Sequence, residues 1–150
     1  MPRFSGEYEE TFTVDAPIDR VKKHFSNVDT IVANYGPLKS HQRIDDMTVT
    51  ITLIPRSEKG VTFAGEYTCK YTFPNENTLQ WDTIRTTNMW SSGKADFVAE
   101  GPSRTRVIYR QRIETEMQVN ALLGKMISPI VSSEIRSGVK SYLERMRKSV

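Results

Sequence analysis

The side chains of this 150-residue chain that are suited to acid–base, nucleophilic or metal chemistry form no recognisable catalytic constellation. The two histidines, His24 and His41, have rings that titrate near neutral pH and would serve as general bases. The sequence places no Ser, Cys or Asp partner within reach of either ring, and a nucleophilic triad needs such partners. Two histidines so far apart also form no recognisable metal motif. We therefore predict no catalytic residue, no metal ligand and no cofactor.

Composition narrows the class of protein further. Cys69 is alone, so the chain has no intrachain disulfide and no cysteine-based metal site. The opening residues 1–7 lack the apolar core of a secretory signal, and no window approaches the roughly 18 apolar residues that a membrane span requires. These features predict a cytoplasmic protein without stable membrane insertion.

The charge pattern gives little support to nucleic-acid binding. The net charge of +3 comes from 21 basic and 18 acidic residues. A basic stripe on one predicted strand comprises Arg104, Arg106, Arg110 and Arg112. Enough carboxylates are available to interleave with these arginines, so we expect a solvated mixed-charge face and no nucleic-acid partner.

The elements that must position any site are clearer than the site itself. Apolar residues recur at helical spacing from Val119 to Met146, a stripe of about seven turns. Alternating residues before it predict about six or seven strands joined by short turns, which must run antiparallel. Two short helices, over 17–27 and 28–35, follow the first strand. The pattern predicts one α+β domain over 1–150, with a long C-terminal helix across a bent sheet, an arrangement that often encloses an apolar cavity.

Two local features carry specific expectations. The alternation from Val61 to Phe73 predicts one long strand, preceded by a turn over 56–60. Pro129 lies inside the helical stripe, where a proline removes a backbone hydrogen bond and predicts a kink or a break. A kink there is either a hinge for a lid over the cavity or a fixed bend that follows the sheet.

The stretch from Phe12 to Asn27 resembles the opening of the START-like, or SRPBCC, superfamily. An apolar strand is followed by Ala16-Pro17, then by Val21 and by Phe25 one turn later. The element order also matches that superfamily's helix-grip fold over essentially the whole chain. Lys22 stands where many members have Trp or Tyr, and the loop over 56–60 lacks the glycine-rich pattern of the pathogenesis-related branch. The resemblance therefore implies the fold and a habit of binding hydrophobic ligands, without a characterised subfamily.

In the helix-grip fold, the inward faces of the central strands and of the last helix surround the pocket. Strand parity and the helical stripe then give the predicted lining: Phe63, Tyr67, Cys69, Trp81, Arg85, Phe97, Val107, Tyr109, Gln111, Met126, Ile127 and Ile130. Tyr67, Tyr109 and Gln111 would supply neutral polar groups. Two alternatives stay open: the side chains fill the core and leave no void, and Arg85 lies at the solvated rim instead of facing inward.

Binding or transport of a lipid, isoprenoid or quinone-like molecule is the function that these features favour. One alternative is a cyclase, aromatase or hydrolase that acts on a polyketide-like or aromatic substrate. It would require an acid–base group such as His41, Asp82 or Asp96 inside the cavity. The other is an interaction module with a filled core and an exposed patch around Trp90. The ligand's identity and the oligomeric state are not encoded in any recognisable motif.

Overall fold

A computed structural model describes residues 2–150 except for the side chain of Glu58. The chain begins with strand β1 (Arg3–Val14) and two short helices, α1 (Ile18–Ser26) and α2 (Val28–Tyr35). Eight strands and a final helix follow: β2 (Ser40–Asp45), β3 (Thr48–Thr52), β4 (Arg56–Glu58), β5 (Val61–Phe63), β6 (Glu66–Asn75), β7 (Thr78–Thr86), β8 (Met89–Ala99), β9 (Thr105–Glu116) and α3 (Ala121–Ser149). This order confirms the predicted α+β helix-grip fold.

Seven strands form one antiparallel sheet in the order β1-β9-β8-β7-β6-β3-β2. Most neighbours are consecutive in the chain because short turns connect them. There are two exceptions: β3 pairs with β6, and β1 pairs along its whole length with β9, from Arg3 opposite Glu116 to Val14 opposite Thr105. The first and last strands therefore lie side by side at one edge, and that edge receives the C-terminal helix.

Charged side chains alternate across the outer face of the β1–β9 pair. Arg112 lies 2.8 Å from Glu7, and Arg110 lies 3.5 Å from Glu9 on the neighbouring strand. Opposite charges on directly paired residues favour this register. The basic stripe of the sequence is therefore part of a mixed-charge face, as predicted.

Helix α3 is fastened to β1 in its middle and to α2 near its end. A side chain at Gly6 would place its Cβ 2.8 Å from the Cβ of Ile135, so glycine permits the close approach of helix and strand. Ser132 Oγ donates to the carbonyl of Ser5 at 2.6 Å. Arg145 donates to the carbonyl of Tyr35 at 3.1 Å. The helix is uninterrupted from Ala121 to Ser149, so of the two outcomes predicted at Pro129 the break is wrong, and the kink stays a prediction.

The segment between β3 and β6 differs from the predicted turn and single long strand. Residues 56–63 form a separate hairpin, β4 with β5, in which Lys59 (φ +50°) and Gly60 (φ +80°) make the turn. Gly65 then separates β5 from β6, and a Cβ there would lie 2.8 Å from the Phe63 ring and 3.0 Å from Leu53. The predicted long strand is therefore interrupted at Gly65, where a larger residue would clash with the side chains of Phe63 and Leu53.

The buried side chains form two apolar clusters. The larger lies between the sheet, α1, α2 and the second half of α3, and contains Phe25, Phe97 and Leu143. The smaller consists of Phe4, Met117 and Ile127, near the first half of α3. The cavity described next is bordered by residues of both clusters.

Candidate ligand-binding cavity

A cavity of about 520 Å³ lies between the inner face of the sheet and α3. The helix contributes one continuous face, since its lining residues recur three or four positions apart. They are Ile127, Ile130, Val131, Glu134, Ile135, Gly138, Val139 and Tyr142. Gly138 leaves room in this wall because a Cβ built there would meet nothing within 4 Å. Helix α2 closes one side with Ile31 and Tyr35.

Alternate residues of the strands form the opposite wall. Strand β9 contributes Tyr109, Gln111, Ile113 and Thr115, because every second side chain of a strand faces the same way. The other strand and loop residues at the wall are Pro37, Leu53, Ile54, Arg56, Val61, Phe63, Tyr67, Tyr71, Met89, Ser91 and Met117. Aliphatic and aromatic groups make up most of this surface, as is typical of sites for small apolar ligands.

Two hydrogen-bonded groups contribute neutral polar atoms to the wall, in addition to the hydroxyls of Tyr71, Tyr142 and Thr115. In the first, the Tyr109 hydroxyl donates to Gln111 Oε1 at 2.6 Å, and Gln111 Nε2 donates to Ser91 Oγ at 3.0 Å. In the second, the hydroxyls of Tyr35 and Tyr67 lie 2.9 Å apart. Both groups are uncharged.

Five of the six tyrosines of the chain border the cavity. Burial raises the pKa of Tyr35 to about 12, because a phenolate would lose its solvation there. Burial also holds the pKa of Tyr67, Tyr71, Tyr109 and Tyr142 well above the ordinary value. These side chains therefore present protonated hydroxyl groups at neutral pH.

Among the cavity residues in the described part of the chain, only Arg56 and Glu134 are ionic. Arg56 Nη2 lies 3.0 Å from Glu134 Oε1, and both side chains remain substantially exposed. The ion pair joins the β4–β5 hairpin to α3 where the cavity meets solvent. The interior is thus neutral, and its mouth carries one exposed ion pair.

Comparison with known proteins gives matches to structures but not to sequences. No family model and no curated protein matches the chain. Solved structures match at a probability of 1.00, including a START superfamily protein from Mycobacterium smegmatis with 12% identity and a TM-score of 0.59, which covers 95% of this chain and 97% of that one. This chain has a START-like fold.

Two enzymes share the START-like fold with this chain. The Zhui aromatase/cyclase from Streptomyces sp. R1128 is 12% identical, with a TM-score of 0.67 over 97% of this chain and 93% of that one. A point mutant of norcoclaurine synthase from Thalictrum flavum, in complex with a transition-state analogue, is 13% identical, with a TM-score of 0.63 over 99% and 95%. At this level of identity the likeness concerns the fold alone.

The structure places six of the sequence-predicted lining residues at the cavity: Phe63, Tyr67, Tyr109, Gln111, Ile127 and Ile130. Cys69, Trp81, Phe97 and Val107 also face inward but are buried in the larger cluster and do not border the void. Trp81 packs on Gly93, where an added Cβ would lie 2.5 Å from the indole. Burial raises the pKa of the Cys69 thiol to about 12, so this thiol stays protonated.

Arg85 lies outside the cavity, which corrects the prediction from parity. Cys69 pairs with Thr83 and Thr68 pairs with Arg85, so Ile84 is an extra residue in β7. A β-bulge of this kind reverses which side chains face inward. Arg85 is therefore exposed on the outer face of the sheet, together with Ile84.

Met126 is also wrongly predicted as a lining residue. Its side chain is 55% exposed, and that of Leu122, one turn earlier, is 73% exposed. The predicted stripe is wider than the surface that covers it, because the first turns of α3 bury only the side that carries Ile127 and Gly124. Met126 belongs to the uncovered side of the same helix.

No acid–base side chain named in the sequence predictions borders the cavity. His41 and Asp82 are exposed, and Asp96 accepts a hydrogen bond from the Thr78 hydroxyl at 2.6 Å on the outer part of the sheet. His24 links two helices, with its Nε2 2.9 Å from the carbonyl oxygen of Met146. Among the side chains that the structure describes, no three from His, Cys, Asp or Glu are close enough together to hold a metal ion. The described helices include none with the length and apolarity to cross a membrane.

Met89 and Trp90 have separate environments. Met89 is buried and borders the cavity, whereas the indole of Trp90 is covered by the Arg3 guanidinium at 4.2 Å from the ring centroid. The environment of Trp90 therefore argues against the exposed patch that an interaction module would present there.

Three lining residues that were not predicted could have been found from the helical and strand patterns of the sequence. Tyr35 lies on the inward side of its helix, and Tyr71 has the same strand parity as Tyr67. Tyr142 follows Val139 by three positions, which places it on the covered helix face. Arg56 and Glu134 had no such signal, because their position depends on the β4–β5 hairpin folding over α3.

Proposed function

We propose that this protein binds a small hydrophobic molecule, of a lipid, isoprenoid or quinone-like kind, inside the cavity and releases it unchanged. The observation that carries the proposal is the void of about 520 Å³ with mainly apolar walls and a neutral interior. Removing apolar ligand surface from water contributes about 25 cal/mol per Å² and would drive binding. The protonated tyrosines and Gln111 would orient the molecule without charge.

The charge distribution argues for binding rather than for conversion. General acid–base catalysis works best with a group whose pKa lies near the working pH. The tyrosine hydroxyls titrate far above neutral pH, and the only ionic residues of the described cavity wall are the paired, exposed Arg56 and Glu134. The enzyme hypothesis keeps its support from the two enzymes of similar fold, so the test must also detect turnover.

Native mass spectrometry of the purified protein, followed by organic extraction, tests the proposal directly. We expect an apolar molecule in stoichiometric amount, and we expect its mass to be unchanged after prolonged incubation with the protein. The neutral fluorophore N-phenyl-1-naphthylamine provides a second probe that needs no knowledge of the natural ligand. We expect its fluorescence to increase on binding, with saturation at one molecule per chain.

Gly138→Leu is the variant that localises this binding. Gly138 is an exposed lining residue, and an added Cβ would meet nothing within 4 Å, so the fold should survive while a leucine side chain narrows the cavity. We expect at least a tenfold loss of fluorophore affinity, whereas Gly138→Ala, the matched control, should lose much less. A clean apo mass with no fluorophore binding would refute the proposal, and a product of altered mass would establish the enzyme hypothesis.

A further inference from the structure

Several polar groups of the cavity wall keep hydrogen-bond donors for a ligand, and one of them is the pair of linked phenolic hydroxyls of Tyr35 and Tyr67. Tyr109 uses its proton on Gln111 Oε1, and Gln111 Nε2 in turn donates to Ser91. Gln111 Nε2 keeps a second proton and Ser91 Oγ keeps its own, although Ser91 is only 2% exposed. Tyr35 and Tyr67 carry two hydroxyl protons, and the 2.9 Å bond between them uses one. One phenolic proton of this tyrosine pair remains to be donated.

The tyrosine pair has a defined place in the cavity. Tyr35 comes from the end of α2 and Tyr67 from the start of β6, and Tyr35 and Tyr142 of α3 have ring centroids 6.4 Å apart. Both members of the pair are within or against the larger apolar cluster. The smaller cluster, with Met117 and Ile127, supplies only apolar groups to its part of the wall. The cavity thus has a hydroxyl-bearing region and an aliphatic region.

The surroundings of the hydroxyl-bearing region also determine which charge a ligand group can carry there. A carboxylate there would need a cationic partner, because an unpaired buried charge is strongly unfavourable. Arg85, the sequence's candidate for this role, lies on the outer face of the sheet. Arg56 is exposed and already paired with Glu134. A neutral oxygen, in contrast, needs only the one donated proton.

We propose that the ligand carries a neutral oxygen acceptor, of the carbonyl or hydroxyl kind, and that the tyrosine pair binds this oxygen while the apolar remainder extends toward Ile127. This inference rests on the proposed function, since it specifies the ligand that the cavity would hold. The donated hydrogen bond is polarised by the bond between the two hydroxyls, because linked hydrogen bonds strengthen one another. The pair therefore selects among hydrophobic molecules by their oxygen.

Competition with bound N-phenyl-1-naphthylamine tests the inference with three probes of similar shape. They are 2-acetylnaphthalene, which has a carbonyl oxygen, 2-ethylnaphthalene, which has none, and 2-naphthoate, which is an anion. We expect the ketone to bind roughly three- to tenfold more tightly than the hydrocarbon, the increment of one neutral hydrogen bond. We expect the carboxylate to bind at least tenfold more weakly than the ketone.

The double variant Tyr35→Phe/Tyr67→Phe keeps both rings and removes both hydroxyls. It should lose the preference for the ketone over the hydrocarbon, measured as the ratio of their two affinities within that variant. Tyr8→Phe is the matched control, because the Tyr8 hydroxyl donates to Glu10 at 2.7 Å and does not border the cavity. The preference should persist in that variant, and if the double variant fails to fold, Tyr35→Phe alone should reduce it.

The outcomes separate the two proposals. Equal affinities of the ketone and the hydrocarbon in the wild type would overturn the inference, and so would a preference that survives in the double variant or tight binding of the carboxylate. Each of these results would leave the proposed function standing, because the fluorophore still occupies the cavity. A protein that binds neither the fluorophore nor any of the three naphthalenes would overturn the proposed function itself.

Discussion

Thr115 is a residue whose side chain fits its surroundings in shape but not in hydrogen bonding. Its side chain is 4% exposed, and its hydroxyl oxygen is buried without a partner within residues 2–150. A buried hydroxyl with no hydrogen bond costs about 1–3 kcal/mol relative to its solvated state. We expect Thr115→Val, which preserves the branched shape, to raise the free energy of unfolding in urea by about 1 kcal/mol.

Thr105 is the matched control for that substitution. It is equally buried and also lies in β9, but its hydroxyl donates to the Ala16 carbonyl at 2.9 Å. We expect Thr105→Val to lower the free energy of unfolding by about 1–2 kcal/mol, because the carbonyl loses its donor. Equal effects of the two substitutions would contradict this interpretation.

His24 gives the protein a pH-dependent stability. Its ring is partly buried against the end of α3, and this burial lowers its pKa from the ordinary value of 6.5. The unfolded chain then binds a proton more readily than the folded one, so the contribution is present above about pH 6.5 and is lost as the pH falls through the folded-state pKa. We expect the free energy of unfolding to fall less between pH 7.5 and 5.5 in His24→Gln than in the wild type. Parallel pH profiles would show that His24 contributes nothing to this dependence.

At the scale of elements, the β4–β5 hairpin is the part of the cavity wall that is least attached to the rest. It pairs only with itself and is joined to α3 by the Arg56–Glu134 ion pair. An exposed ion pair contributes at most about 1 kcal/mol, so its loss should change the motion of the hairpin more than global stability. We expect Glu134→Gln to release bound N-phenyl-1-naphthylamine two- to fivefold faster in stopped-flow measurements, since about 0.4–1 kcal/mol corresponds to that factor.

A second ion pair provides the control for this effect. Arg112 and Glu7 lie 2.8 Å apart on the outer face of the sheet, away from the cavity. Glu7→Gln removes a carboxylate of similar exposure and should leave the release rate unchanged. If both variants released the fluorophore at the wild-type rate, the hairpin would not control access to the cavity.

Helices and strands could be predicted from the sequence where their apolar residues recur at one constant spacing along the whole element. Alternation placed Tyr67 and Tyr109 on the inner face, and the helical stripe placed Ile127 and Ile130 there. The prediction failed for Arg85, because the extra residue Ile84 reverses which side chains of the strand face inward. No residue type in the sequence indicates that bulge. It also failed at Gly65, where tight packing interrupts an otherwise regular alternation.

The failure at Met126 has a different cause. Helical spacing shows which residues share a face, but not how much of that face another element will cover. The position of α3 is fixed by its close contact with Gly6 and by the Ser132–Ser5 hydrogen bond, and these two partner residues on β1 are far from Met126 in sequence. The limits of the covered face therefore depend on tertiary contacts, which a single sequence does not display.

For the whole molecule, the order of elements determined the fold class, but it did not determine whether the core would be filled. The inward residues of the larger cluster, including Trp81 and Phe97, do fill their space. The void remains beside α3, whose lining residues include Gly138, which has no side chain. An open cavity thus results from the summed volumes of side chains on five or more elements, a quantity that periodicity alone does not give.

An open cavity in a molecule of this size should link ligand binding to global stability. A ligand that binds only the folded state, at a free concentration of 100 times its Kd, adds about 2.7 kcal/mol to the free energy of unfolding. For a domain of this length that corresponds to a rise in Tm of roughly 5–10 °C. We expect calorimetry to show this rise with saturating 2-acetylnaphthalene, and a fall of similar size after organic extraction and refolding of protein that carries an endogenous ligand. Gly138→Leu should unfold cooperatively yet gain little from the ketone, because its side chain occupies the ligand's space; an equal gain in that variant would place the ligand somewhere other than this cavity.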